Sequence, residues 1–250
     1  MAPNRVALVT GASRGLGARI ASRLSADGWA VAVNYRAGRA AADRVVEAIH
    51  EAGGVAHAFG ADVLDEAEVT SLVGQVERHL GPVVAIVANA TGPQPAAGLE
   101  ELTWQAQLDQ LEFFVKSPTL LVQEVLPGMK QRGGGRIINI GSDIVERVVP
   151  GMSAYAAAKA AQLELTRTWA RELGAFGITV NLVAPGWVPV ERHADAPPEA
   201  LAAYRANVAL GRLGVPADVA AAVAFLASPR AAHINGVVLE IDGGQTRGMH

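Results

Sequence analysis

Val6-Ala-Leu-Val-Thr10-Gly11-Ala-Ser13-Arg14-Gly15-Leu16-Gly17 is a short apolar run that meets three glycines, and Ala18 to Leu24 continues with helical character. The reading is strand, glycine turn, helix. Such a junction aims backbone N–H groups and the positive end of a helix at an anion, and glycines let a pyrophosphate come close to the backbone. The spacing is G-x-x-x-G-x-G, not the dinucleotide fingerprint G-x-G-x-x-G, and the alternative is an ordinary strand-to-helix turn.

Outward from this stretch, strand and helix alternate. Ala30 to Asn34 reads as a second strand, Ala40 to Ala52 as an amphipathic helix, and Val55 to Phe59 as a third strand. A helix over 66–80 closes at Gly81-Pro82, and Val83 to Val87 is a fully apolar run of the kind buried in a parallel sheet. Trp104 to Met129 reads as one long helix or a pair, broken near Ser117-Pro118. A strand over 136–141, a helix from Tyr155 to about Leu173, a strand from Ile178 to Val183, a helix from Asp218 to Leu226 and a strand from Val237 to Ile241 complete the series. The pattern predicts an α/β fold, a Rossmann-like doubly wound parallel sheet of about seven strands with helices on both faces. Ligands in such sheets bind beyond the carboxyl ends of the strands. No linker-like stretch divides 1–250, so one domain is expected, and the Pro- and Ala-rich stretch at about 187–210, which holds His193, has the composition of a mobile cover over the substrate.

The second strand ends in Asn34-Tyr35-Arg36, where a chain that prefers NAD usually carries an acid for the ribose hydroxyls. With no acid there, Arg36, Arg14 and Arg39 can meet a ribose 2′-phosphate through charge-assisted hydrogen bonds, which favours NADP(H) and leaves NAD(H) as the alternative. These arginines can equally be solvated surface residues. Asp62-Val63, just past the third strand, stands where an adenine amino group can be met, or Asp62 caps the helix that starts near Asp65.

Ser142 follows an apolar strand, and Tyr155-Ala-Ala-Ala-Lys159 opens an alanine-rich helix. Tyr155 and Lys159, four apart, share a helix face. An ammonium beside a phenol favours the phenolate, so Tyr155 can exchange a proton with a substrate oxygen that Ser142 holds. The four-residue spacing alone is a weak signal, and many such pairs are surface pairs.

Half of the 250 residues are hydrophobic and 18% are charged, below the roughly 25% of average chains, which points to extensive burial and subunit contacts. A net charge of −3 exerts no pull toward nucleic acid or an anionic membrane, so the expected partner is a small molecule. Cysteine is absent, which excludes disulfides and thiol catalysis, and no two of the six histidines are spaced as metal ligands. No apolar stretch approaches about 18 residues and the start lacks a signal-peptide core, so a cytoplasmic location is expected.

With these residues in place, the chain resembles the short-chain dehydrogenase/reductase family in its compact form, and in particular its 3-oxoacyl-ACP reductase-like members. The motifs that carry the likeness are Thr10 to Gly17, Asn89-Ala90, Ser142 with Tyr155-x-x-x-Lys159, Pro185-Gly186, and the ending from Gly211-Arg-Leu-Gly214 to Asp242-Gly-Gly244. The resemblance implies hydride transfer between a nicotinamide and a carbonyl or carbinol carbon. It makes Tyr155 the acid or base, Lys159 the group that lowers its pKa and binds the nicotinamide ribose, Ser142 the residue that orients the substrate oxygen, and backbone around Val188 the holder of the carboxamide. It also implies a homodimer or homotetramer built on the helices ending near Met129 and beginning near Tyr155. Three positions depart from the family pattern. Phe114 stands where an asparagine often supports a proton relay, Thr91 follows Asn89-Ala90 in place of glycine, and Val190 replaces a threonine. Gln94, Phe113, Phe114, the Asp143 to Arg147 loop and Trp187 are the expected pocket walls. The leading expectation is an NADPH-dependent reductase of a ketone or oxoacyl group; an alcohol dehydrogenase working in the oxidative direction and a cofactor-binding protein without turnover are the alternatives.

Overall fold

Apolar runs without alternation form strands that must be covered on both faces. The computed structural model, which describes residues 5–191 and 196–246, bears this out; His193 lies outside the described residues. Strands β1 (Val6–Val9), β2 (Ala30–Tyr35), β3 (Val55–Gly60), β4 (Val83–Ala88), β5 (Gly135–Ile140), β6 (Ile178–Pro185) and β7 (Val238–Ile241) make one sheet. Its order is β3-β2-β1-β4-β5-β6-β7 and every pairing is parallel. All residues of β1 and of β6 are buried.

One face is covered by α1 (Gly15–Ala26), α2 (Arg39–Glu51) and α9 (Pro216–Ala227), which close a core of Val9, Ile20, Leu24, Val31, Val33, Val219, Val223 and Leu226. The other is covered by α3 (Glu66–His79), α5 (Ser117–Arg132) and α7 (Ser153–Leu173), around Leu8, Leu72, Ile86, Leu121, Met129 and Ile137. Strand order reverses between β1 and β4. That reversal opens a cleft at the carboxyl ends of the strands, the place where such sheets bind ligands.

Three local features differ from the expectation. The helical stretch between β4 and β5 is interrupted by a π turn, Glu112–Lys116, between α4 (Trp104–Leu111) and α5, one turn earlier than the Ser117-Pro118 break. Pro118 has no N–H to give the carbonyl of Phe114, four residues back, and the hydrogen-bond register widens there. The loop after Ser142 contains a short helix, α6 (Ile144–Arg147). The stretch at about 187–210 contains α8 (Pro198–Ala206), started by a proline in its first turn, where a missing N–H costs nothing.

Candidate active site

The glycine turn is built as the sequence requires. Gly11 and Gly15 have φ of 60° and 56°, in the left-handed region that a side chain disfavours. A Cβ on Gly17 would stand 2.4 Å from the carbonyl oxygen of Gly11 and 2.6 Å from Nδ2 of Asn89. Helix α1 begins at Arg14 without a side-chain cap and without an acid in its first turn, whereas Asp65 caps α3 and Thr103 caps α4. The first N–H groups of α1 are thus left to an anion. A turn that leaves no room for a Cβ at Gly17 and an uncapped helix start fit a dinucleotide pyrophosphate. Ser13 and Leu16 are half-buried in the turn and Arg14 is exposed. The side chains of Val190 and Glu191 reach over Gly15 from the segment after β6.

Three polar side chains fasten the strand ends beneath the turn. The Thr10 hydroxyl accepts from the backbone N–H groups of Asn89 and Ala90, both at 3.0 Å. Asn89 Nδ2 donates to the carbonyls of Thr10 at 2.8 Å and Gly11 at 3.3 Å. Asn34 Oδ1 accepts from Gly11 N at 3.3 Å while its Nδ2 donates to Ala61 O at 3.1 Å. Asn34 is buried, and its role was missed in the sequence; a polar residue closing an otherwise apolar strand is the signal that marks it.

At the end of β2, the Tyr35 ring covers Gly60. Arg36 and Asp62, both expected at the cofactor, meet each other at 3.7 Å on the surface. Capping of α3 falls to Asp65, whose carboxylate accepts from Glu68 N at 2.9 Å, while Asp62 Oδ1 accepts from Leu64 N at 3.0 Å. The Val63 side chain packs into the core.

Tyr155 and Lys159 project from the first turns of α7. Lys159 is 3% exposed. Its ammonium donates to the carbonyl of Ile140 and, at 3.0 Å, to Oε1 of Gln162. The Phe114 ring lies 3.7 Å from Nζ and makes an edge contact with the Tyr155 ring, centroids 5.4 Å apart. Phe114, expected on the substrate wall, is 3% exposed, and from the π turn its ring packs against Tyr155 and Lys159.

Ser142 accepts from Ile144 N at 3.2 Å and its hydroxyl points to Asp143 Oδ1 at 3.3 Å. Asp143, expected on the pocket wall, is 5% exposed and lines a small cavity beside Ser142. The Tyr204 hydroxyl of α8 donates to its Oδ2 at 2.8 Å and accepts from Trp187 N at 2.8 Å. Arg147 Nε approaches the same oxygen at 3.0 Å without a directed hydrogen bond, so the pairing is Coulombic. Burial raises the Asp143 carboxyl above the usual carboxylate range, against the pull of Arg147, Tyr204 and Ser142. Burial, with Asp143 beside it, pushes the Tyr204 phenol well above its ordinary value, so it is a neutral donor.

The Pro185-Gly186 step is locked into this cluster. Asp143 N donates to Pro185 O at 3.0 Å, Gly186 N to Ile241 O at 3.0 Å, and a Cβ on Gly186 would lie 2.5 Å from the Tyr204 oxygen. Val188 is buried, and the Trp187 ring stands edge-on to Tyr204 at 5.6 Å. A cavity of about 20 Å³, room for a water, is lined by Ser142, Asp143, Glu146, Lys159, Glu240 and Thr246. Gln94 bonds Thr91 at 2.8 Å in the loop after β4, and the buried Gln110 holds that loop through Pro93 O at 2.9 Å. The Phe113 ring fills the space above Gly92.

A family model described as enoyl-(acyl carrier protein) reductase matches residues 11–246. A 3-oxoacyl-[acyl-carrier-protein] reductase of Staphylococcus epidermidis is 37% identical over 243 residues, covering 96% of this chain and 98% of that protein. Cis-4-hydroxycyclohexanecarboxylate dehydrogenase of Sinomonas cyclohexanicum is 38% identical over 242 residues, covering 97% and 96%. Among solved structures, a short-chain dehydrogenase/reductase from Serratia marcescens matches with a TM-score of 0.91 at 40% identity, over 98% of this chain and 99% of that one. A blue fluorescent protein from a metagenomic library, in complex with NADPH, matches with a TM-score of 0.89 at 38% identity, over 97% and 98%.

Proposed function

The chain belongs to the short-chain dehydrogenase/reductase family and is an oxidoreductase of hydroxyl and carbonyl groups, and from that premise we propose that it is an NADPH-dependent reductase of a ketone or oxoacyl carbonyl. The observation that carries the reading is the buried Lys159 ammonium beside Tyr155, with Ser142 on the same cavity. Tyr155 gives its proton to the substrate oxygen as general acid. The Lys159 charge favours the phenolate left behind and thereby lowers the Tyr155 pKa. Ser142 turns its hydroxyl from Asp143 to the substrate oxygen and orients it. When bound, NADPH supplies the hydride. Gly11 to Gly17 would hold its pyrophosphate, Arg36 its 2′-phosphate, Asp62 its adenine, Asn89-Ala90 and Lys159 its ribose, and backbone around Val188 its carboxamide. A solved neighbour in complex with NADPH and another with NADP and tartrate support the cofactor choice.

The substrate is a small carbonyl compound or the corresponding alcohol, and Gln94 and Trp187 face it under a cover at about 187–210. The protein is a cytoplasmic homotetramer or homodimer built on α5 and α7; Trp104, 71% exposed at the start of α4, suits a subunit contact. The relative named for dehydrogenation favours a second reading, the same chemistry run toward oxidation, since the same acid and base serve both directions.

The test follows NADPH absorbance over a panel of ketones and 3-oxoacyl thioesters. Tyr155→Phe lowers turnover by about 10²–10⁴-fold, the scale of a lost general acid, with NADPH still bound. Unchanged turnover in Tyr155→Phe, or NADH bound at least as tightly as NADPH, overturns the assignment. No turnover with any carbonyl in the wild type would leave a cofactor-binding protein.

A further inference from the structure

A buried ammonium is stable only where acceptors replace its water. Around Lys159 part of that replacement comes from Gln162, itself 1% exposed, on the inward face of α7. A buried position on a helix is ordinarily filled by an apolar residue, and a buried amide costs free energy unless its groups are bonded. Here Gln162 Oε1 accepts from Lys159 Nζ at 3.0 Å, and on another side the Phe114 ring stands at 3.7 Å, within cation–π range. Nζ lies 5.8 Å from the centroid of the Tyr155 ring.

We propose that Gln162 is a positioning residue: by accepting from Lys159 it fixes the ammonium at its distance from Tyr155, and with the Phe114 ring it sets how readily Tyr155 gives up its proton. The proposal rests on the acid–base role assigned to Tyr155 and Lys159. Phe114 and Gln162 act as a pair. One fills a side of the ammonium with a π face in place of a polar relay group, and the other supplies a fixed acceptor in place of water. The other charged groups around this position, among the described residues, are Asp143, Glu146 and Glu240 on the cavity, Arg147 against Asp143, and the exposed Glu112–Lys116 pair on the π turn. Substituting Gln162 leaves all of them in place.

The experiment is the pH profile of kcat/KM for NADPH-linked reduction in wild type, Gln162→Met and Phe114→Leu, with Tyr155→Phe as reference. Gln162→Met keeps length and burial but removes the acceptor. The ammonium is then less well held, its field at the phenol weakens, and the high-pH limb reporting protonated Tyr155 moves up by about one pH unit, with kcat about tenfold lower, the scale of one hydrogen bond to a charge. Phe114→Leu moves the limb the same way by less. A limb that stays in place in a folded Gln162→Met, while Tyr155→Phe is inactive, overturns the proposal and leaves the reductase assignment standing. An active Tyr155→Phe overturns the assignment itself, and the proposal with it. Should Gln162→Met show no cooperative unfolding, Gln162→Glu serves instead. Its carboxylate offsets the ammonium charge and moves the limb up, and an unmoved limb again overturns the proposal.

Discussion

Tyr204→Phe removes one oxygen that a buried carboxylate and a part-buried backbone N–H depend on. Tyr204 is 6% exposed and Asp143 5%. The hydroxyl donates to Asp143 Oδ2 and accepts from Trp187 N, each at 2.8 Å. Without it a buried carboxylate loses a donor and a backbone N–H loses its acceptor. At about 1–3 kcal/mol for a buried group left unsatisfied, less for the part-exposed Trp187 N–H, and with Arg147 able to take up part of the carboxylate's need, the expected loss is about 1–3 kcal/mol. The loss depends on pH, and the sign follows from Asp143. Burial already holds its folded-state pKa above the ordinary value, so its protonated form is the one the fold favours. A group raised on folding contributes stability that is present at low pH and lost as pH rises through the folded pKa. Removing the Tyr204 donor raises Asp143 further, so the variant is most destabilised at neutral pH and recovers in mild acid, where the carboxyl is protonated. Urea unfolding followed by tryptophan fluorescence, run at both pH values, measures this, since Trp187 stacks edge-on against the ring that remains. A loss below about 0.5 kcal/mol, within the range of surface substitutions, or an equal loss at both pH values refutes the reasoning.

Two further outcomes concern the cofactor. Gly17→Ala forces a Cβ to within 2.4 Å of the Gly11 carbonyl, so the turn must shift; stability falls by about 1–3 kcal/mol and NADPH affinity measured by calorimetry drops with it. Arg36→Ala weakens NADPH binding by about tenfold and leaves NADH binding unchanged, as loss of one charge-assisted contact to a 2′-phosphate requires. Its pair with Asp62 is exposed and worth about 0–1 kcal/mol, so the unfolding midpoint barely moves.

The sheet could be read from the sequence because parallel strands covered on both faces appear as unbroken apolar runs, and Val83 to Val87 is such a run. The glycine turn was equally plain, since close backbone approach leaves Gly17 no other residue. What stayed hidden are pairings between distant positions. Tyr204 reaches Asp143 across 61 residues, and nothing in the Ala-rich run around Tyr204 marks it as a partner of the Ser142 loop. The same holds for the contacts of Asp143 and Phe114. Asp143 does line the small cavity, but its bond to Tyr204 of α8 and the burial of Phe114 in the π turn depend on packing that the local sequence does not show.

Phe114 and Gln162 show why reading a departure from a family pattern position by position misleads. By resemblance to the family, Phe114 stands where an asparagine often supports a proton relay, and taken alone it argues for a weakened enzyme. The π turn changes what that substitution does, because it rotates the ring onto the Lys159 ammonium, where a π face is itself a partner for charge. Gln162, an amide on a buried helix face, then supplies an acceptor to the same ammonium. An aromatic on one element and an amide on another are each odd in isolation, and both are accounted for by a single buried charge. In the proposed mechanism the ammonium that tunes Tyr155 is held by Gln162 and Phe114 together with the Ile140 carbonyl, so packing around Lys159 sets the strength of the acid, and substitutions at either position act on pH dependence before they act on substrate binding.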